Sequence, residues 1–318
     1  MKRKNNLYEN TYKFENILAA FDEVCQNTKN KKKVASYKEY KSIYISRVYN
    51  VLSQCTYVVG PYNVFTIYEP KARRIVSQKM HDKIINHLIS RHILYPALMP
   101  CLIDTNVASR KNLGTQKGIE LATKFHRACK IQYGKYYILK CDVSKFFASI
   151  DHTILKEKLK RKIKEKKSLD VIFKIIDSDE AGLSIGNMSS QVLAIFYLND
   201  LDHYIKEVLK IKYYVRYQDD FLLFHQSKEY LKYCFEQIKI FLKKEKLTLN
   251  PKSRIFSSNN NFIYLGRNKK GKYARYRSVT RKLNKRLFLY QNEAINLNSV
   301  ISSIACYKHL CSNKHFKI

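Results

Sequence analysis

Tryptophan is absent from this 318-residue sequence, and acidic residues are scarce, with 26 Asp plus Glu against 60 Lys plus Arg. No stretch of eighteen or more apolar residues occurs, so no membrane-spanning helix is expected. The basic start, Met1-Lys-Arg-Lys-Asn-Asn6, lacks the apolar run of a secretory signal, which points to the cytoplasm. No internal repeat, low-complexity tract or Ser/Gly linker interrupts the chain, so its lobes are expected to be tightly joined. The eight cysteines are scattered, several in apolar runs (Cys55, Cys101, Cys129, Cys141). In a reducing compartment they read as small buried hydrophobes. Cys306, His309, Cys311 and His315 gather zinc-type ligands in a short span. Their spacing matches no common finger, and a basic terminal helix and tail is the better reading.

The formal net charge is +34, spread along the whole length. A globular chain carrying that excess repels itself, so a polyanionic partner is the economical explanation. Nucleic acid fits best, although a lysine-rich proteome contributes to such a bias. The 25 Tyr and 16 Phe offer stacking faces for bases, with core packing the ordinary use for most of them.

Two aspartates sit side by side between β-prone runs in Tyr213-Tyr-Val-Arg-Tyr-Gln-Asp219-Asp220-Phe-Leu-Leu-Phe224. Buried carboxylates lose water and repel each other, and a cation is the usual remedy. A plain hairpin with a solvated Asp-Asp turn is the alternative. Upstream, Tyr136-Tyr-Ile-Leu-Lys-Cys-Asp142-Val-Ser-Lys-Phe-Phe147-Ala-Ser-Ile-Asp151 repeats the theme of an apolar run ending in aspartate. Mg²⁺ prefers oxygen ligands and leaves positions for substrate phosphates. Two strands ending in Asp can supply the protein share of a two-metal site for in-line phosphoryl displacement. Asp151 reads better as a helix cap.

Residues 1–60 read as mainly helical, with Lys29–Lys33 an exposed turn. Short strands are expected at Tyr57–Val59 and Val64–Tyr68, then helices over 75–93, 119–129 and 153–167. A long amphipathic helix is expected from Ser189 to Leu209, and another over 228–246. Residues 261–266 read as a strand, with a hairpin turn at 269–272 leading into 273–277. The order suggests an α+β fold, an antiparallel sheet with helices on one face.

From about Tyr62 onward the chain resembles a reverse transcriptase. Asp142-Val-Ser-Lys-Phe-Phe-Ala-Ser-Ile-Asp151 looks like the first palm motif. Gly182-Leu-Ser-Ile185-Gly186-Asn-Met-Ser-Ser-Gln191 looks like the template- and nucleotide-positioning motif. Tyr217-Gln-Asp219-Asp220 matches the tyrosine–x–aspartate–aspartate box. Leu247-Thr-Leu-Asn-Pro-Lys252 is similar to the lysine-bearing motif that follows, and Phe262-Ile-Tyr264-Leu265-Gly266 to the primer grip. The resemblance implies a right-hand polymerase: N-terminal region and fingers over 1–135, a palm with an antiparallel sheet over 136–275 (with a fingers-associated insertion at about 153–181), and a short helical thumb over 276–318. It implies two Mg²⁺ ions (Mn²⁺ possible) on Asp142 and Asp219, with the Val143 carbonyl and Asp220 assisting. A primer 3′-hydroxyl would attack the α-phosphate of a deoxynucleotide, and the protein would position groups and neutralise charge. Phe147 matches the ring beneath the sugar, with simple packing as its alternative. Glu69-Pro-Lys71-Ala-Arg73-Arg74 resembles the fingers segment that reaches the triphosphate. Arg110 would contact template or nucleotide phosphate. Ser253 stands where relatives carry a second lysine, which leaves the leaving-group role of Lys252 open.

Group II intron-type enzymes usually have glutamine before the motif glycine and end that motif in serine–proline. Ile185-Gly186 with Gln191 looks instead like the enzymes of diversity-generating retroelements. This implies a bacterial or phage enzyme copying a template-repeat RNA into cDNA with misincorporation opposite adenines, aided by a small basic accessory protein. A defence-associated or retron-like reverse transcriptase is the main rival. A basic RNA-binding protein on an inactive polymerase fold is a third reading, against which the intact Asp142, Asp219 and Asp220 argue.

Overall fold

The computed structural model describes residues 3–67, 73–260, 262–268, 270 and 276–311. Helices α1 (Phe14–Asn27), α2 (Lys31–Glu39) and α3 (Lys41–Ser53) open the chain. Ile17, Ala20, Phe21 and Val24 recur at helical spacing, and all are buried. The α2 helix begins inside the expected lysine turn, because the Asn30 side chain caps it by accepting from the Lys33 N–H. Tyr57–Val59 forms no strand. The buried Tyr57 hydroxyl instead donates to Asp82 at 2.8 Å. Strands β1 (Asn63–Ile67) and β2 (Arg73–Ser77) make an antiparallel hairpin, so the helix expected from residue 75 starts only at α4 (Met80–Ile89). A π turn over Ser90–Leu94 carries it into α5 (Tyr95–Leu98).

The middle of the chain runs through α6 (Thr115–Tyr133), β3 (Tyr137–Asp142), α7 (His152–Lys160), α8 (Lys166–Asp177), α9 (Met188–Tyr197) and α10 (Asn199–His203). The single helices expected over 153–167 and 189–209 are both broken. Lys4 exchanges backbone hydrogen bonds with Lys162 and Lys164 at the first break. Leu198 interrupts the second, and a π turn over Tyr204–Val208 ends it. Beyond that break Asp202 is buried and faces Arg216.

Strands β4 (Tyr213–Tyr217) and β5 (Asp220–His225) are followed by α11 (Lys228–Lys244), β6 (Arg254–Ser257) and a small hairpin of β7 (Ile263–Tyr264) and β8 (Arg267–Asn268). Helices α12 (Tyr276–Gln291) and α13 (Leu297–Cys311) close the described chain. The main sheet is antiparallel in the order β4-β5-β3-β6. Helices cover both of its faces, not one. Leu139, Cys141, Phe221 and Leu223 join a core with residues of α9 and α11. Ile138, Val215, Leu222 and Phe224 join a second core with Ala122 and Cys129 of α6 and with Phe262 and Tyr264. The reason is the unbroken run Phe221–Phe224, which is apolar on both sides of the pleat and needs two covers. Burying each such side chain contributes about 1.5–3 kcal/mol. Among the described cysteines, Cys25, Cys101, Cys129, Cys141 and Cys234 are buried, whereas Cys55 is exposed where an interior site was expected.

Candidate active site

The aspartates meet at one end of the sheet. Asp142 is the last residue of β3 and Asp220 the first of β5, and the two are paired across the ladder. The Val143 N–H donates to the Asp219 carbonyl at 3.2 Å, which locks the tip of the β4–β5 turn against the end of β3. Gln218 takes a left-handed φ of 54° to make that turn. Burial pushes the Asp220 carboxyl up to about 6; the Lys140 ammonium opposes the shift, and Asp142 and Asp219 reinforce it.

Struts that the sequence reading did not single out hold this end of the sheet. Arg216 is fully buried and donates to Asp202 from Nε at 2.7 Å and from Nη2 at 2.5 Å. Its Nη1 reaches the Gln218 carbonyl at 2.9 Å, so a bidentate ion pair braces the turn from behind. The Gln218 amide donates to Ser109 Oγ, and that hydroxyl donates to Gln191 Oε1 at 3.2 Å. Asn250 Nδ2 donates to Asp142 Oδ2 at 2.8 Å. Ser253 accepts from the Asp142 N–H at 3.1 Å. The residue that departs from the lysine pattern therefore clasps the backbone of Asp142. An arginine inside an apolar strand was the one visible signal among these, since it demands a buried acid.

Ile185 and Gly186 lie beside β2: Val76 N–H donates to the Ile185 carbonyl, and a Cβ on Gly186 would come within 2.9 Å of the Val76 carbonyl. Gln191 is an exposed residue of α9 that accepts from the Ser109 hydroxyl. Ile185 is 39% exposed. Phe147 is half-buried against Phe146, and its carbonyl accepts from the Leu183 N–H at 2.7 Å. Gly182, at φ +66°, passes so close to that carbonyl that no side chain fits.

Residues 263–268 differ from the expected strand. Leu265 and Gly266 form a two-residue turn, with φ of 48° and 78°, between Tyr264 and Arg267. Tyr264 is buried against the sheet. The expected hairpin turn at 269–272 lies largely outside the described residues, and of the strand expected over 273–277 the described part, from Tyr276, is helical.

Arg110 and Lys252 are not brought to the carboxylates by a bond. Arg110 Nη1 donates to the Ile103 and Asn106 carbonyls, stitching its own loop. Lys252 is exposed, its N–H donating to Asn250 Oδ1. Lys71 lies outside the described residues. Arg73 and Arg74 are in β2, opposite Ile67 and Thr66. The expected helix cap at Asp151 is present, with its Oδ1 accepting from the Ile154 N–H at 2.9 Å.

Among the described residues, no group of three or more His, Cys, Asp or Glu side chains is arranged to hold a metal ion. The chemistry of the donors nonetheless suits a hard divalent cation, which takes oxygen ligands: Asp142 and Asp219 lie near enough to Asp220 to raise its carboxyl. Asp220 Oδ1 is buried with no hydrogen-bond partner. The Lys140 and Asn250 groups that bond the other oxygens would have to share or yield.

Residues 68–268 match the family of reverse transcriptases (RNA-dependent DNA polymerases). The match takes in more than half of the chain, and the chain belongs to that family. Its fold is the reverse-transcriptase type of right-hand polymerase, mixing helices with antiparallel sheet. Among solved structures it is similar to apo telomerase from Candida tropicalis truncated from its C-terminal domain (TM-score 0.52, 14% identity, 74% of this chain and 58% of that one). It is also similar to telomerase from Candida tropicalis in complex with a TWJ fragment of telomeric RNA (TM-score 0.52, 12% identity, 87% of this chain and 56% of that one). The chain thus spans less than two thirds of the length of either, and at these identities the likeness is one of fold alone. No curated protein matches the chain. No described helix is long and apolar enough to cross a membrane.

Proposed function

We propose that this chain copies a template RNA into DNA at the Asp142–Asp219–Asp220 end of the sheet. The observation that carries the reading is the cross-strand pairing of Asp142 with Asp220 beside the Val143–Asp219 backbone bond. In the reaction the primer 3′-oxygen forms a bond to the α-phosphorus of a deoxynucleotide and loses its proton. The bond from that phosphorus to the bridging oxygen breaks, and pyrophosphate leaves. Asp142 and Asp219, with the Val143 carbonyl and Asp220, would hold two Mg²⁺ or Mn²⁺ ions, which when bound supply charge neutralisation for the triphosphate and alignment of the entering and leaving oxygens.

The chain's own contribution is positioning. Phe147 underlies the sugar, where a 2′-hydroxyl would clash with its ring. Lys71, Arg73 and Arg74, with Arg110, meet phosphate. Lys252 serves the leaving group. Ile185, Gly186 and Gln191 set the templating pair, and Tyr264, Leu265 and Gly266 hold the primer end. In this reading residues 1–135 serve as N-terminal region and fingers, 136–275 as palm and 276–318 as thumb. Primer extension on poly(rA)–oligo(dT) with Mg²⁺, supplied with any partner that co-purifies, tests it. Asp219→Ala should lose at least about a thousandfold in rate, about 4 kcal/mol of transition-state stabilisation. A wild-type chain that makes no product, or an Asp219→Ala variant that matches it, refutes the assignment.

The finer reading is a bacterial or phage, cytoplasmic enzyme of a diversity-generating retroelement, working with a small basic accessory protein. It is supported by the Ile185-Gly186 to Gln191 sequence and by the exposure of Ile185 beside β2. An aliphatic side chain there supplies no amide to check the templating pair. Misincorporation opposite template adenine should fall several-fold in Ile185→Gln; equal error rates would remove the support.

A further inference from the structure

Lys140 is an oddity of β3. It stands in an apolar run, two residues before Asp142 and on the same face of the pleat. Its ammonium donates to Asp220 Oδ2 at 3.0 Å and to the Ile263 carbonyl at 2.7 Å. It also lies 5.9 Å from the centre of the Tyr264 ring. Lys140 and Asp220 are both largely shielded, with side chains 25% and 21% exposed. The ammonium is therefore shared between the carboxylate end of the sheet and the β7–β8 hairpin, where Phe262 and Tyr264 also pack against the sheet. Two polar atoms in this cluster, Asp220 Oδ1 and the Tyr264 hydroxyl, are buried without hydrogen-bond partners.

We propose that Lys140 is a positioning residue that ties the Asp220 carboxylate to the Ile263 carbonyl, so that the hairpin holding the primer end and the floor where the new bond forms keep a constant spacing. The inference rests on the polymerase reading for its functional half. Its structural half, a tie between two elements, stands apart from it. Ammonium is suited to the task, since a flexible stem lets one charge serve an acid and a carbonyl at once. The tie also keeps one carboxylate oxygen engaged while another, Asp220 Oδ1, stays open.

Two measurements on the full chain test the idea. The first is amide hydrogen exchange over residues 262–268 without nucleic acid or metal. Lys140→Met keeps much of the stem and removes the donor. It should speed exchange in this hairpin about tenfold, while Lys140→Arg stays near wild type and exchange in β1–β2 is unchanged in both. The second is primer extension. Lys140→Met should raise the half-saturating primer–template concentration about tenfold and that for deoxynucleotide by less than about twofold, with Lys140→Arg restoring the former. Should Lys140→Met not fold, Lys140→Gln replaces it. Unchanged hairpin exchange in the neutral variants overturns the tie. Faster exchange with unchanged primer–template dependence overturns its positioning role. A wild-type chain that extends no primer refutes the polymerase reading and leaves the exchange result to judge the tie.

Discussion

Asp142 and Asp151 flank one short turn and serve different ends because different backbone surrounds them. Asp142 sits where a strand ends beside two other acids. Asp151 accepts from the Ile154 N–H and pairs with Lys246 at 2.6 Å. The Lys246 hydrogen bond, helped by that N–H, holds the Asp151 carboxyl below the usual range. A depressed folded pKa adds stability that is present above the unfolded value and lost as pH falls through the folded one. Asp151→Asn keeps a capping oxygen and drops the charge. Its stability deficit against wild type should therefore be present at neutral pH and shrink below about pH 3.9. Asp151→Ala should cost about 1 kcal/mol more, the cap itself. Denaturant melts at several pH values check both, and a deficit in Asp151→Asn that does not change with pH refutes the pairing. The capping role was readable because Asp before a helical run is a local signal. Arg216 announced only its need for an acid; that the acid is Asp202 depends on a helix break that its amphipathic pattern did not reveal.

Elements with a strong period were legible. The β4–β5 hairpin, α11 and the strand ending at Asp142 all lie within a few residues of where alternation and helical spacing put them. Tertiary pairing decided the elements that moved. β2 exists because it pairs with β1, and it displaces the start of α4. The π turns after α4 and α10 keep helical composition while changing the hydrogen-bond step, which no side-chain pattern reports. Leu265 takes a left-handed conformation that side-chain-bearing residues rarely adopt, so the hairpin was hidden inside what read as one strand. Of the candidate site, the acids and the Ile185–Gln191 segment were visible. The braces from Ser109, Asn250, Ser253 and Lys140 were not, because each depends on a partner at least 80 residues away.

The whole chain carries a net +34, and a polyanion is the partner that relieves such self-repulsion. Affinity for an RNA–DNA duplex should therefore be set by counterion release. It should fall about a thousandfold or more between about 50 and 200 mM salt, the behaviour of six to ten phosphate contacts. A flat salt response in a fluorescence-anisotropy titration would show that the charge serves something else. The sheet order has a separate consequence for biosynthesis. The inner strand β3 finds its neighbours only in later-made segments: Tyr137 pairs with His225 and with Ser257. At ribosomal speeds of about 5–20 residues per second, the emerging β3 waits on the order of 10 s for its last neighbour. Until then its hydrophobic flanks stay uncovered in the nascent polypeptide, an interval in which chaperone capture or aggregation competes with maturation.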